Sequence, residues 1–231
     1  MKLKTGLFIG ENMNIHFHHQ SLGILNSHYA IIYGVDIQSH SSQLEALKKE
    51  ILDKVLVYDE DFIDNLLVNK GYAELLAMFS AEKCTPAGQN FVQMIQKRNK
   101  FPTINTAVDA YNIIAAKSFL SIGAHDLDKI NGDIVFDFAR DGESIPAVNM
   151  TDVFEVSEGD YVYRDDDKIL AWLDVRDTDL AKLTRETKNI ILIVEGNRNA
   201  TSDYIKDFLT EACELVIKFN GGKYEIKKVM E

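Results

Sequence analysis

The sequence is poor in cysteine and proline and has no long apolar run. Its only cysteines, Cys84 and Cys213, are far apart and in no metal-ligand spacing, which predicts free thiols in a reducing compartment. No segment approaches the roughly 20 apolar residues of a membrane span. The apolar run at the N terminus ends at Glu11, too early for a secretion signal. These absences predict a cytoplasmic protein that does not enter a membrane.

Basic residues are also scarce, since 25 lysines and arginines stand against 36 acidic residues and give a net charge of −11. Such a surface does not attract phosphate in general, so DNA is not an expected partner and any RNA contact must be local. Two small basic groups are available for such a contact, although groups of this kind are more often solvated surface. They are Lys97, Arg98 and Lys100, and Lys223, Lys227 and Lys228.

The hydrophobic content of 46% is enough for a sizeable core, and we expect one domain over residues 1–231. Within it, residues 1–95 are expected to form a strand (29–37) and helices: one capped by Ser41 or Ser42, one over 59–79, and one opened by Thr85 and Pro86. Residues 96–220 form the core, with short antiparallel strands and an amphipathic helix, and 221–231 an edge strand. This order predicts an α+β fold of largely antiparallel sheets with covering helices.

Two polar clusters suggest metal sites, but both have simpler interpretations. His16 and His18 would share one face of a strand, with His19 beside them, but no third ligand is identifiable nearby. The run Asp165 to Asp167 lies where a hairpin must turn, and aspartate favours turns. We therefore expect neither a metal nor a cofactor.

The segment from 101 to 133 carries the most information about function. Thr103 or Asn105 can cap a helix in which Asp109 and Asn112 are polar residues among apolar ones. Buried polar groups must be hydrogen-bonded, so these two either hold neighbouring loops, which is the commoner role, or line a pocket. The pair Gly123-Ala124 then allows close approach of a ligand or of another part of the backbone.

These residues resemble the tRNA-editing (B3/B4) domain of the phenylalanyl-tRNA synthetase β subunit, and more closely its free-standing single-domain relatives. The resemblance rests on Val108-Asp-Ala-Tyr-Asn112 and Gly123-Ala-His-Asp-Leu-Asp-Lys-Ile130, and on the segments 159–165, 172–177 and 187–189. It implies a three-layer fold of two sheets and helices, with a pocket between the helix at Asn112 and the strands that follow. It also implies hydrolysis of the ester of a mischarged tRNA, with the 3′ end of an aminoacyl-tRNA as the partner.

Carried over by position, the resemblance implies two catalytic residues and five substrate-binding ones. The catalytic pair is Asn112, which would bind the aminoacyl group, and Glu195, which would hold the amino group or water. The substrate-binding residues are Tyr111, Gly123, Ala124, Trp172 and Arg176, the last facing the ester carboxyl or the terminal ribose phosphate. From the residues alone, Arg176 could also form an ordinary ion pair with Asp174 or Asp177.

This chain departs from the family pattern at three of these positions. Gly123 replaces a histidine, Trp172 replaces a glycine, and Glu195 aligns only after a shift of two residues. Tyrosine specificity is therefore not carried over. Two other classes stay open: a non-catalytic module that binds tRNA or a free amino acid in the same pocket, and a structural partner protein in which Trp172 fills the pocket.

Overall fold

The computed structural model describes residues 13–18, 24–79, 81 and 83–230. The N-terminal run that ends at Glu11 and the ring of His19 lie outside these ranges. In the described part of the chain, no helix has the length and apolar content needed to span a membrane. Both cysteines are free thiols, as expected, with Cys213 buried and Cys84 half-buried.

Six α-helices occur in the described residues, and most begin at a polar cap. Ser41, Asn105 and Thr201 accept hydrogen bonds from the first-turn amides of their helices. The helices are α1 Ser42–Val55, α2 Glu60–Asn65, α3 Leu67–Leu76, α4 Ala87–Arg98, α5 Thr106–Ser118 and α6 Ser202–Asn220.

Two expectations about the helices were wrong in detail. The single helix expected over 59–79 is two helices, because Leu66 adopts an extended conformation (φ −61°, ψ 128°) that ends α2 and precedes α3. Pro86 is the N-cap of α4, whereas the sequence predicted it one position later, as the first residue of the helix.

Eleven strands in the described residues form two main sheets and one small hairpin. A five-stranded sheet has the order β1-β4-β7-β8-β9, a four-stranded sheet has the order β11-β2-β10-β3, and β5 pairs with β6. The strands are β1 Ile15–Phe17, β2 His28–Tyr33, β3 Ile122–Asp126, β4 Ile134–Phe138, β5 Ser144–Ile145, β6 Phe154–Glu155, β7 Tyr161–Arg164, β8 Ile169–Trp172, β9 Arg176–Asp177, β10 Asn189–Val194 and β11 Lys223–Lys228.

The two sheets and the helices form three layers, which confirms the expected α+β fold. Side chains from the inner face of the five-stranded sheet meet the four-stranded sheet, as where Tyr163 contacts His125. The other face of the four-stranded sheet is covered by α6, which packs on β2, β10 and β11, and α5 packs between α6 and β3. Apart from the parallel pair β1 and β4, the ladders are antiparallel.

Asp109 holds α5 in place, which is the structural role expected for it. Its carboxylate accepts from Lys48 Nζ of α1 (2.9 Å) and from the backbone amide of Ile104 (2.8 Å). Lys48 is only 2% exposed and also donates to Thr103 Oγ1 at 2.7 Å. Removing one partner of such a buried pair would leave the other charge buried without a partner, which costs free energy. The pair therefore fixes the position of α5 against α1.

The aspartate run turns a hairpin, as predicted from its sequence. Asp165 Oδ1 accepts hydrogen bonds from the backbone amides of Asp167 (2.9 Å) and Lys168 (2.8 Å). This side-chain arrangement is the usual way in which aspartate stabilises a turn.

A fragment of residues 1–100 is expected not to fold by itself. In the sheet, β2 lies between β10 and β11, which both come from the C-terminal part of the chain. Without them the apolar strand β2 has no hydrogen-bonding partner on either side, and unpaired buried amides are costly. Circular dichroism should show no cooperative melt for the fragment and one for the full chain. A monomeric fragment that melts cooperatively would contradict the topology.

Candidate functional site

The candidate site lies between the two sheets, where β3 forms the edge of the four-stranded sheet. Alternation along β3 puts Gly123 and His125 on the inner face and Ala124 on the face toward the helices. His125 Nε2 lies 2.8 Å from Tyr163 Oη of the opposite sheet. Burial lowers the pKa of His125 to about 4, so its ring is neutral at pH 7, and its Nδ1 has no partner among the described residues.

Gly123 lets two polar groups of the five-stranded sheet approach β3. A Cβ atom built on Gly123 would lie 2.9 Å from Tyr163 Oη and 3.7 Å from Asp177 Oδ1. The first distance is too short for a side chain without movement of the tyrosine. The position at which Gly123 replaces a histidine of the family pattern is therefore bordered closely by a hydroxyl and a carboxylate.

Glu195 follows β10 and points to the same inner face. Its Oε2 accepts a hydrogen bond of 2.6 Å from Tyr161 Oη, and its backbone carbonyl accepts one from the hydroxyl of Tyr72. The side chain is 4% exposed. Burial first, and the charge of Asp174 second, raise the pKa of Glu195 well above its usual value.

Two further carboxylates complete this group, which we call the acid cluster: Asp174, Asp177 and Glu195. Asp174, 8% exposed, accepts from the backbone amide of Ala87 at 3.1 Å through Oδ2, whereas its Oδ1 has no partner among the described residues. Burial raises its pKa to about 6. Burial likewise raises the pKa of Asp177 to about 6, and a hydrogen bond with Tyr163 opposes that rise.

The acid cluster has no basic partner within the described ranges. None of its carboxylates takes part in a described ion pair, and the charges that act on Asp174 and Glu195 are negative ones. Ions of like charge held together in a poorly hydrated place are unfavourable unless a cation or a proton joins them. The arrangement is therefore suited to a positively charged ligand.

Tyr111 approaches the acid cluster from α5, and Asn112 follows it on the same helix. Tyr111 is half-buried, and burial first and the charge of Asp177 second raise its pKa. The neighbouring Asn112 is half-buried, and its amide makes no hydrogen bond with any residue that the structure describes. A partly exposed amide with free donors and a free acceptor can bind a ligand.

Trp172 and Arg176 lie on the other face of the five-stranded sheet, contrary to the pocket positions expected for them. Trp172 pairs with Val162 and Arg176, whereas Ala171 pairs with Tyr163 and Asp177. Directly paired residues share a face, so Ala171 faces the acid cluster and Trp172 faces away.

The contacts of these two side chains agree with that placement. Trp172 Nε1 donates to Asp160 Oδ2 at 2.8 Å, and its indole packs on Phe154 with ring centroids 4.6 Å apart. Arg176 is exposed and donates to the carbonyl of Val175. The ion pair with Asp174 or Asp177 that its sequence position allowed is not formed, because both aspartates face the interior.

Of the seven residues predicted for the site, Glu195 belongs to the acid cluster, and Tyr111 and Gly123 lie near it. Asn112 is next to Tyr111 on α5. Ala124 is buried toward the helices. The residues that the sequence reasoning missed are Tyr161, Tyr163, Asp174 and Asp177. The alternation in Tyr161-Val-Tyr163 was a usable signal, because it puts both hydroxyls on one face of a strand.

The outer face of the five-stranded sheet carries a separate open cleft of about 650 Å³. His16, His18, Asp137 and Arg164 line it, with both signs of charge. Among the described residues, no group of three or more histidine, cysteine, aspartate or glutamate side chains is placed to hold a metal ion.

Asp174→Asn is expected to change how stability depends on pH. Because folding raises the pKa of Asp174 from 3.8 to about 6, the folded state binds more protons in that window, and its stability falls as pH rises. The pKa difference corresponds to about 3 kcal/mol of folding stability at low pH, and most of this stability is lost by pH 7. In urea titrations, the free energy of unfolding of the variant minus that of the parent should rise by about this amount from pH 4 to pH 8.

Asp152→Asn is the matched control, because Asp152 is exposed in a loop. The free energy of unfolding of this variant minus that of the parent should not rise between pH 4 and pH 8 as it does for Asp174→Asn. Equal pH profiles for Asp174→Asn and this control would show that Asp174 is not a buried acid.

Comparison with known proteins gives a family and one structural likeness. The B3/4 domain family matches residues 74–217. An N-terminal fragment of the phenylalanyl-tRNA synthetase β subunit from Pyrococcus horikoshii is similar with a TM-score of 0.49 and 14% identity, over 92% of this chain and 50% of the fragment. The chain thus spans about half the length of that fragment. No curated protein sequence matches it. Because the family match covers more than half of the chain, the protein belongs to the B3/4 domain family.

Proposed function

We propose that this protein is an aminoacyl-tRNA editing-type hydrolase that cleaves the ester of a mischarged tRNA. Its place in the B3/4 domain family supports a role connected with tRNA synthetase chemistry. The observation that carries the proposal is the meeting of Gly123, Tyr163 and the acid cluster, with Tyr111 near Asp177 and Asn112 beside Tyr111 on α5. The family resemblance implies an editing pocket between the helix at Asn112 and the strands that follow, which is the region these residues border.

Hydrolysis of an aminoacyl ester requires few functional groups from the protein. An aminoacyl ester is already activated, so the protein has to position water and stabilise the oxygen that gains negative charge. Water attacks the carbonyl carbon, the bond to the ribose oxygen breaks, and one water proton ends on that oxygen. No protein nucleophile is required.

Asn112 and Glu195 are the residues we assign to this step. The free amide of Asn112 can donate to the aminoacyl carbonyl. Since its pKa is raised, the carboxyl of Glu195 keeps a proton to higher pH than an exposed glutamate. It can therefore hold the water or donate to the developing oxyanion, while Tyr161 fixes its orientation at 2.6 Å.

A second function, binding without catalysis, is favoured by the charge of the molecule. A net charge of −11 and an acid cluster oppose RNA phosphate, but they suit a free amino acid bound through its ammonium group. A binding module would be stabilised by its ligand without turnover. The structural-partner alternative loses its basis, since Trp172 does not fill the space between the sheets.

Asn112→Ala should lower the rate of aminoacyl-tRNA deacylation by roughly 10²-fold, a typical loss for one oriented hydrogen-bond donor. The assay is release of labelled amino acid from a panel of aminoacyl-tRNAs. Asn90→Ala is the matched control, because Asn90 is an exposed helical asparagine on α4.

The hydrolase proposal fails if the parent protein cleaves no member of the panel faster than buffer. Equal activity of Asn112→Ala and Asn90→Ala would leave a hydrolase but remove Asn112 from its mechanism.

Binding of tRNA should be weak and should depend on Lys97, Arg98 and Lys100. All three are exposed at the C-terminal end of α4, and none has an acidic partner within the described residues. Replacing all three by alanine should weaken tRNA binding and make it less dependent on salt. The slope of log K against the logarithm of the salt concentration should decrease by up to about 0.9 for each phosphate that the variant no longer neutralises. Filter binding at several salt concentrations measures both.

The control for the basic group is a variant with the same reduction of positive charge elsewhere, Lys49→Ala, Lys54→Ala and Lys206→Ala, all at exposed helical positions. It should bind tRNA nearly as the parent does. Equally weakened binding in both variants would show that total charge, not this group, determines RNA binding.

A further inference from the structure

The acid cluster holds more negative charge than hydrolysis of an ordinary aminoacyl ester requires. Asp174 and Asp177 bring two carboxyl groups, and burial raises the pKa of each to about 6. Neither has a basic partner among the described residues, and Asp174 Oδ1, in a residue only 8% exposed, has no hydrogen-bond partner there at all. A buried acceptor without a partner costs free energy unless a ligand satisfies it.

The pairing register places Asp177 on the inner face of the five-stranded sheet. Asp177 pairs across the sheet with Ala171, and Ala171 with Tyr163, so Asp177 and Tyr163 are on the inner face with Tyr161. Asp174 is held below them by the amide of Ala87 at the start of α4. Gly123 has no side chain, so Tyr163 Oη and Asp177 Oδ1 lie close to its backbone.

The residues around the acid cluster differ in their exposure to solvent. Tyr111, Asn112, Gly123 and Asp177 are all partly exposed, whereas Asp174 and Glu195 are buried behind them. Asp177 is therefore nearer to the surface than Asp174 and Glu195.

We propose that Asp174 and Asp177 form a subsite for a primary ammonium group on the ligand's side chain, so that the preferred aminoacyl group is a basic one with two positive charges. This inference rests on the proposed function, whose substrate class it names. One α-ammonium can neutralise one carboxylate, which leaves a second charge unpaired. An ammonium offers three donors on a compact charge and so can satisfy Asp174 Oδ1 together with Asp177.

The test uses the full chain and two pairs of amino-acid amides that differ only by a terminal ammonium: L-lysinamide against L-norleucinamide, and L-ornithinamide against L-norvalinamide. Amides of this kind report binding without the ester that a hydrolase would cleave. Titration calorimetry at pH 7 and low salt should show the basic member of at least one pair binding about tenfold more tightly or better. Asp174→Asn and Asp177→Asn should each remove most of that preference.

Asp179→Asn is the control, because Asp179 is a partly exposed neighbour that pairs with Lys182 at 2.8 Å. It should keep the full preference, and thermal melts of all three variants establish that they are folded. Equal binding within both pairs would mean that the protein binds only the α-ammonium, and this result would overturn the proposal. The proposal would also be overturned if no amide bound, or if both variants kept the full preference. Binding of the basic amides without deacylation of any tRNA would instead remove the hydrolase function and leave the ammonium subsite standing.

Discussion

The site depends on burying Asp174, Asp177 and Glu195 between two sheets with tyrosine hydroxyls as their polar neighbours. Tyr161 donates to Glu195 at 2.6 Å, and Tyr163 lies between Asp177 and His125. A hydroxyl satisfies a carboxylate oxygen but brings no countercharge, so the three acids keep raised pKa values. The fold therefore carries an electrostatic cost that a bound cation or proton reduces. Such costs concentrate at functional sites.

The surrounding structure keeps this cost from unfolding the site. Residues Ile190 to Val194 of β10 are buried, and β10 lies between β2 and β3 in the four-stranded sheet. The buried pair of Lys48 and Asp109 fixes α5, which carries Tyr111 and Asn112. The acids thus sit on rigid strands and short turns, and a ligand finds them already arranged.

Local signals in the sequence predicted the fold well because they act over a few residues. Ser41 and Asn105, each one of two caps that the sequence allowed, do cap their helices, and Asp165 turns its hairpin. The break at Leu66 was not predictable in this way, since Leu66 and Leu67 are both apolar and no side chain caps the start of α3. The site was harder because side-chain direction in a strand alternates, and a shift of one residue reverses the face.

Trp172 and Arg176 show that difficulty. Their segment does border the acid cluster, but Ala171 and Asp177 are the members that face it. Asp174 reaches the interior because the chain turns between β8 and β9, where Leu173 has a φ of 50°. The sequence resemblance pointed to the segment, whereas the pairing register decides which of its side chains face the space between the sheets.

The most direct test of this account is a carbon-13 NMR pH titration of the side-chain carboxyls of the aspartates and glutamates in the full chain. The account predicts that Asp174 and Asp177 titrate near pH 6 and that Glu195 titrates well above the usual range for glutamate. Their apparent pKa values should fall when a basic amino-acid amide is added. Ordinary pKa values for all three, unchanged by such a ligand, would contradict the acid cluster and the site built on it.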